Sequence, residues 1–258
     1  MHTPSSRHVR AVAACALLLA LLLSGCGSSS SNDKKDLLVS AATSLKAAFT
    51  DYGEGVSDAN VQLSFAGSDE LAAQIRSGAR PAVFAAANTK LPDQLFKEGL
   101  VEKPQVFATN RLVLAVPAGG RISSIDDLTT SGTRIAIGSP SVPIGSYTRK
   151  VLARLDAATR KAILANVRSE EPDVGGISAK LTQKAVDAGF LYVTDVKATN
   201  GRLKAIELPA RLQPAVAYGV AIVKGSKNTA AARTFVDGLL RGDGADALRR
   251  AGFEAPAT

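Results

Sequence analysis

The chain has 258 residues, 46% hydrophobic and 21% charged, with 31 Lys and Arg against 23 Asp and Glu and a formal net charge of +8. The cations are spread without a dense run, Trp is absent, and the few aromatics are not interleaved with basic clusters, which argues against nucleic acid and for a small anion or an anionic surface. Both histidines, His2 and His8, and one of the two cysteines, Cys15, stand close to the start, so little His or Cys chemistry is left for the rest of the chain.

The first residues read as a leader. Arg7 and Arg10 supply a positive start, and Ala11–Leu23 is an apolar run too short to span a bilayer comfortably. The run ends in Leu23-Ser24-Gly25-Cys26, which resembles the lipobox of bacterial lipoproteins; in that family the Cys carries the lipid and begins the mature chain. Residues 1–25 are therefore expected to be a lipoprotein signal peptide and residues 26–36 a flexible tether, polar and low in complexity at GSSSSNDKK. Cleavage removes two cations and no acid, leaving +6, and takes away Cys15 and both histidines. No internal disulfide, Ser–His pair or zinc-hydrolase site is then available. The product is anchored to a membrane surface on its extracytoplasmic face and does not cross it.

From Leu37 the chain alternates strands and helices. Leu37-Leu38-Val39 is a short apolar run of the buried-strand kind, followed by small residues and then Ser44, which opens a helix with Leu45, Ala48, Phe49 and Tyr52 at helical spacing. A strand turning directly into a helix leaves unpaired N–H groups with the positive end of the macrodipole behind them, a ready anion site. Taken alone, Ser44 is more simply a helix cap. The device repeats, however: Val61–Phe65 alternates as a strand, and Ala66-Gly67 turns it into a helix at Ser68, with Asp69 and Glu70 in its first turn. Further strands are expected at Ala82–Ala86, Arg111–Val116, Arg134–Gly138, Phe190–Val193, Leu203–Leu208 and Val216–Val223, the Phe190 strand ending at Thr194-Asp195. Helices are expected around Leu91–Glu98, from Thr148 to Leu155 after a Pro/Gly-rich turn at Pro140–Tyr147, over Ile177–Ala188 with Asp173 as N-cap, and over Ala230–Leu240 and Ala245–Ala251. This pattern points to α/β sheets with ligands at the carboxyl ends of the strands. The strands at Leu112–Val116 and Val216–Val223 read as connections between two lobes.

Five short stretches carry a resemblance together: Ala41-Ala42-Thr43-Ser44-Leu45, Phe65-Ala66-Gly67-Ser68, Val142-Pro143-Ile144-Gly145-Ser146-Tyr147, Pro172-Asp173-Val174 and Gly189-Phe190-Leu191-Tyr192. In this order and approximate spacing they resemble the molybdate-binding proteins of bacterial ABC importers, and the similarity runs from about Leu37 to Phe253. The resemblance implies a two-lobed periplasmic-binding-protein fold of type II. Each lobe would be a mostly parallel sheet flanked by helices, with residues 37–112 and 209–258 forming one lobe and 113–208 the other. It implies an oxyanion in the cleft, held by the hydroxyls and N–H groups of Ser44 and Ser68, the N–H groups of Ile144 and Val174, and the hydroxyl of Tyr192. Neutral donors of this kind hold a dianion without a countercharge when helix dipoles point at it.

Two departures stand out: Ile144 is bulkier than the small residue expected there, and Asp69 places an acid after Ser68. Without the resemblance, Tyr192 would read as a core tyrosine and Asp173 and Asp195 as caps or turn residues. The implied function is that of a monomeric, lipid-anchored binding protein that delivers molybdate and tungstate to an importer permease. It needs no cofactor and no metal-cation ligands, and it is not an enzyme. The alternatives weighed against this are the same fold holding sulfate or phosphate, and a sensor or adhesin domain without transport. Phosphate keeps a proton at neutral pH and benefits from a carboxylate acceptor, for which Asp69 is the candidate. Cys26→Ala should move the protein from the membrane to the soluble fraction; a variant that stays membrane-bound and unprocessed like wild type would refute the lipobox reading.

Overall fold

Residues 34–256 are described in a computed structural model. The leader, Cys26 and most of the tether lie outside the described residues. Among the described residues no helix is long and apolar enough to cross a membrane.

The chain begins with β1 (Lys35–Ala42), a 3-10 turn at Thr43–Leu45 and α1 (Lys46–Gly55), then β2 (Ala59–Ala66), α2 (Ser68–Arg76), β3 (Val83–Ala86), α3 (Lys90–Lys97) and β4 (Gln105–Asn110). The second half of the strands starts at β5 (Leu112–Pro117), followed by β6 (Ile135–Gly138), α4 (Pro143–Ala153), α5 (Ala157–Ala165), β7 (Val167–Glu171), α6 (Val174–Thr182), β8 (Ala188–Tyr192), α7 (Val193–Lys197) and β9 (Leu203–Glu207). β10 (Val216–Ile222), α8 (Thr229–Arg241) and α9 (Asp243–Ala251) close the chain.

These strands form two five-stranded sheets, ordered β2-β1-β3-β10-β4 and β7-β6-β8-β5-β9. The inner strands β3, β6 and β8 are buried at every position, which is why their sequences are unbroken apolar runs; β2 and β7 lie at sheet edges and alternate. Each sheet is mixed. β1 pairs in parallel with β2 and β3, and β6 with β7 and β8, as strand–helix–strand units require. β10 and β5 run antiparallel to their neighbours because the chain enters them from the other sheet.

The chain leaves the first sheet at Asn110, enters the second at Leu112 and returns between Glu207 and Val216. Arg111, at the crossing, pairs with Glu207 at 2.8 Å and Glu254 at 3.2 Å, and Gln213 in the returning connection donates to the Leu112 carbonyl at 2.9 Å. The ion pairs are exposed and each contributes little, so the aromatic core beside the crossing is the larger stabilising term. Tyr218 packs edge-on against Phe253 and Phe107, and Phe49 joins Phe107 to Phe235.

Several elements differ from the sequence expectation. α4 starts at Pro143, five residues before the anticipated Thr148, because proline suits the first turn of a helix and reads locally as a turn signal. α5 was not anticipated, although Asp156 caps it by accepting the N–H groups of Ala158 and Thr159. β4 was missed because its polar residues mask a strand. β8 stops at Tyr192 and a short helix, α7, occupies the residues expected to continue it. Gly145, inside α4, sits so close to the preceding loop that a Cβ there would run into the carbonyl oxygens of Ser139 and Gly138. Gly145→Ala should therefore destabilise the protein by about 2 kcal/mol or more, a fall in melting temperature of roughly 4–8 °C in a thermal melt.

Candidate functional site

Six turns at the carboxyl ends of β1, β2, β3, β6, β7 and β8 converge on one small cavity between the sheets. Its lining includes Ser44, Ser68, Ile144, Val174 and Tyr192, so the structure brings together all five residues singled out in the sequence. The cavity measures about 20 Å³, above the roughly 10–15 Å³ that one water needs, which suits a single compact polyatomic ion. Among the described residues no Lys, Arg or His lines it, and Asp173 is the only charged residue that does.

Three α-helices begin at the cavity, α2 with Ser68, α4 with Pro143 and Ile144, and α6 with Val174. Their first-turn N–H groups have no carbonyl four residues back, so they point outward with the positive dipole end behind them. Proline has no N–H, so the first donor of α4 is that of Ile144. The Ile144 side chain reaches back over the Gly138 backbone, so its bulk is accommodated beside the β6 end of the turn.

Neither serine caps its helix. Ser68 is 1% exposed and its Oγ accepts the Ala87 N–H at 3.1 Å, leaving its proton to donate elsewhere. Ser44 Oγ lies 3.0 Å from the Tyr218 hydroxyl. The Tyr192 hydroxyl is buried with no hydrogen-bond partner among the described residues, a costly arrangement that a bound acceptor would relieve. Burial, with Tyr218 and Tyr147 close by, holds its acidity far below that of an ordinary phenol, so Tyr192 keeps its proton and remains a donor.

Sequence reasoning missed the contact between the lobes. Asp173 accepts the Gly176 N–H at 3.1 Å as cap of α6, and its other oxygen accepts the Thr43 hydroxyl from across the cavity, also at 3.1 Å. Beside it, a Cβ on Gly67 would come within 2.6 Å of the Pro172 carbonyl oxygen, so the loops of the two lobes touch. Asp69, flagged in the sequence, does not line the cavity. A wider groove of about 580 Å³ adjoins it, sharing Thr43, Ser44 and Val174 and lined also by Lys46, Asp195 and Arg202. Asp195 accepts the Tyr192 N–H at 3.0 Å. Burial pushes its carboxyl up to about 7, against the lowering effect of that hydrogen bond, with Asp173 adding a further upward push.

Residues 37–254 match the family model of bacterial extracellular solute-binding proteins. The chain is 36% identical to the molybdate-binding protein of Mycobacterium tuberculosis over 258 aligned positions, spanning 93% of this chain and 97% of that one. Among solved structures, the substrate-binding domain of a putative molybdenum ABC transporter from Clostridium difficile is 29% identical, with a TM-score of 0.65 over 87% of this chain and all of that one. The periplasmic molybdate-binding protein of Azotobacter vinelandii shares the fold at a TM-score of 0.76 and 21% identity, over 86% of this chain and 100% of that one.

Asp195 makes the fold pH-sensitive in a defined direction. Its folded pKa of about 7 exceeds the roughly 3.9 of an unfolded aspartate, so the folded state binds the proton more tightly. Stability should therefore fall as pH rises from about 4 to about 7, by up to a few kcal/mol, with no further loss from this group above that window. Melting curves across this range should show the fall in wild type and a smaller one in Asp195→Asn; equal slopes would refute it.

Proposed function

The chain belongs to the bacterial extracellular solute-binding proteins, and from that premise we propose that it captures molybdate, and tungstate with it, and hands the anion to an ABC importer. The observation that carries this reading is the Tyr192 hydroxyl, buried and unpartnered at a cavity lined by two donor serines, two helix starts and no cation. An acceptor-rich ion of cavity size completes that arrangement; a cation or a neutral apolar solute does not.

The donors divide between the lobes, Ser44 and Ser68 on one and Ile144, Val174 and Tyr192 on the other. Closure over the anion then replaces its water with protein hydrogen bonds and forms the surface that a permease reads. Nothing in this scheme breaks a covalent bond, in keeping with a family of binding proteins rather than enzymes. Cys26 supplies the lipid anchor that holds a monomer at the extracytoplasmic membrane face, within reach of the permease. Sulfate offers the same oxygens at smaller size, whereas hydrogenphosphate brings a proton with few free acceptors to meet it: Asp69 lies outside the cavity, and both Asp173 oxygens already accept hydrogen bonds.

Binding should stabilise the fold by about 4 kcal/mol at a thousandfold excess over Kd. In a thermal-shift panel, molybdate and tungstate should raise the melting temperature most; a shift with phosphate alone would overturn the reading. Each hydrogen bond to a charged partner is worth about 1.5–3 kcal/mol, so Ser44→Ala, Ser68→Ala and Tyr192→Phe should each weaken molybdate binding roughly tenfold to a hundredfold in calorimetric titration. Ile144→Ala keeps its N–H and should change affinity much less. If both serine variants fold and bind like wild type, the site lies elsewhere.

A further inference from the structure

Two residues that do not line the cavity govern how one of its donors is oriented. Asn110 is the last residue of β4, at the point where the chain crosses between the sheets, and it is buried. Its Oδ1 accepts the Arg111 N–H at 2.9 Å, which fixes which end of the amide is which. The Nδ2 group therefore points the other way, donating to Thr194 Oγ1 at 2.9 Å and, over a longer 3.5 Å, toward the Tyr218 hydroxyl.

Tyr218 is fully buried, and its hydroxyl has two partners among the described residues, Asn110 Nδ2 and Ser44 Oγ. An amide nitrogen has no lone pair to offer, so the Tyr218 proton has one destination, Ser44 Oγ. Burial also holds that phenol far above its usual pKa, so the proton stays on it. Ser44 thus accepts from Tyr218, so its own proton is not spent on that contact and is free to face the cavity. The same lobe repeats this logic at its second serine, with the Ala87 N–H in place of the tyrosine and Ser68 in place of Ser44.

Resting on the molybdate reading above, we propose that Asn110 and Tyr218 are positioning residues that keep the Ser44 proton free for the anion and so disfavour oxyanions that carry a proton. The polarity originates in a backbone N–H at the lobe crossing and passes through Asn110 and Tyr218 to the anion. A hydrogenphosphate entering this site meets a hydroxyl that already accepts from Tyr218 and offers its own proton, so the anion's O–H must compete for the acceptor capacity that remains, one Ser44 lone pair and an Asp173 carboxylate that already takes two hydrogen bonds.

Asn110→Asp reverses the chain. At about pH 8, above the range of a moderately raised carboxyl pKa, the carboxylate offers lone pairs alone and takes the Tyr218 proton. Tyr218 then accepts from Ser44, and a Ser44 lone pair faces the cavity. Molybdate and hydrogenphosphate are both dianions at that pH, so the added charge weakens both and the ratio of their affinities isolates the proton polarity.

Calorimetric titration of the full-length wild type, Asn110→Asp and Tyr218→Phe with each anion, alongside thermal melts, tests this. The molybdate-to-phosphate affinity ratio should fall a hundredfold or more in Asn110→Asp and severalfold in Tyr218→Phe, which keeps the ring but frees Ser44 to rotate. Folded variants with the wild-type ratio would overturn the proposal, since lost packing lowers both affinities together. If Asn110→Asp does not fold, the Tyr218→Phe ratio decides alone. A wild type that binds neither molybdate nor sulfate removes the premise and the proposal with it, whereas a wild type that binds molybdate beside variants of unchanged ratio overturns the proposal and leaves the molybdate reading standing.

Discussion

A dianion taken out of water with no cation beside it must find a hydrogen-bond donor for each oxygen it buries, and that requirement shapes both lobes. Helix starts supply such donors in pairs and threes, already oriented, with a dipole behind them. A sheet whose strands turn directly into helices delivers them along one edge, the carboxyl edge. Two such sheets facing each other deliver them from both sides. The turns after β1, β2, β6, β7 and β8 do this here, and the cavity they enclose contains no Lys or Arg. A cation would add affinity for every anion alike; fixed donors of defined direction distinguish one anion from another.

The hydroxyls follow a second rule. A serine at a helix start ordinarily turns back to cap its own backbone, and here neither does. Each is held by a donor from another strand, the Ala87 N–H beyond β3 for Ser68 and the Tyr218 hydroxyl on β10 for Ser44. The helices they open have no side-chain cap at all, whereas α6 is capped by Asp173 and Asp195 accepts the Tyr192 N–H at the start of α7. This division between a local helix start and a distant partner leaves the serine protons uncommitted to the helix ends.

This division explains which features could be read from the sequence. The strand–small residue–Ser–helix pattern at Ser44 and Ser68 is local, so the residue types and their spacing reveal it. The apolar runs of β3, β6 and β8 are legible because burial on both faces leaves no room for polar residues. The start of α4 was not legible, since Pro143-Ile144-Gly145 is as good a turn as a helix beginning, and only the close approach of Gly145 to Ser139 reveals the need for glycine. The Asn110–Tyr218–Ser44 chain joins residues 108 and 174 positions apart, and Thr43 meets Asp173 from 130 positions away. No local pattern encodes such pairings. Tyr218 looks like one more apolar residue of β10 until the fold places Ser44 against its hydroxyl.

At the cavity itself the lobes meet through few direct hydrogen bonds, other contacts between them lying beside the crossing at Asn110 and Arg111. Thr43 to Asp173 is one hydrogen bond to a partly buried carboxylate, worth about 1.5–3 kcal/mol at most, and water replaces much of it on opening. The anion, in contrast, contributes several bonds of that strength at once, and it does so only when both lobes reach it. A ligand shifts a two-state equilibrium by its differential affinity for the two states and by nothing else. An anion resting on one lobe keeps water on its remaining oxygens and gains little. In the site proposed above, the same ion between Ser44 and Ser68 on one side and Ile144, Val174 and Tyr192 on the other gains the full set. An ion with a proton in the wrong place is penalised where the last donors close in, so on this scheme discrimination is exercised at closure and not at entry.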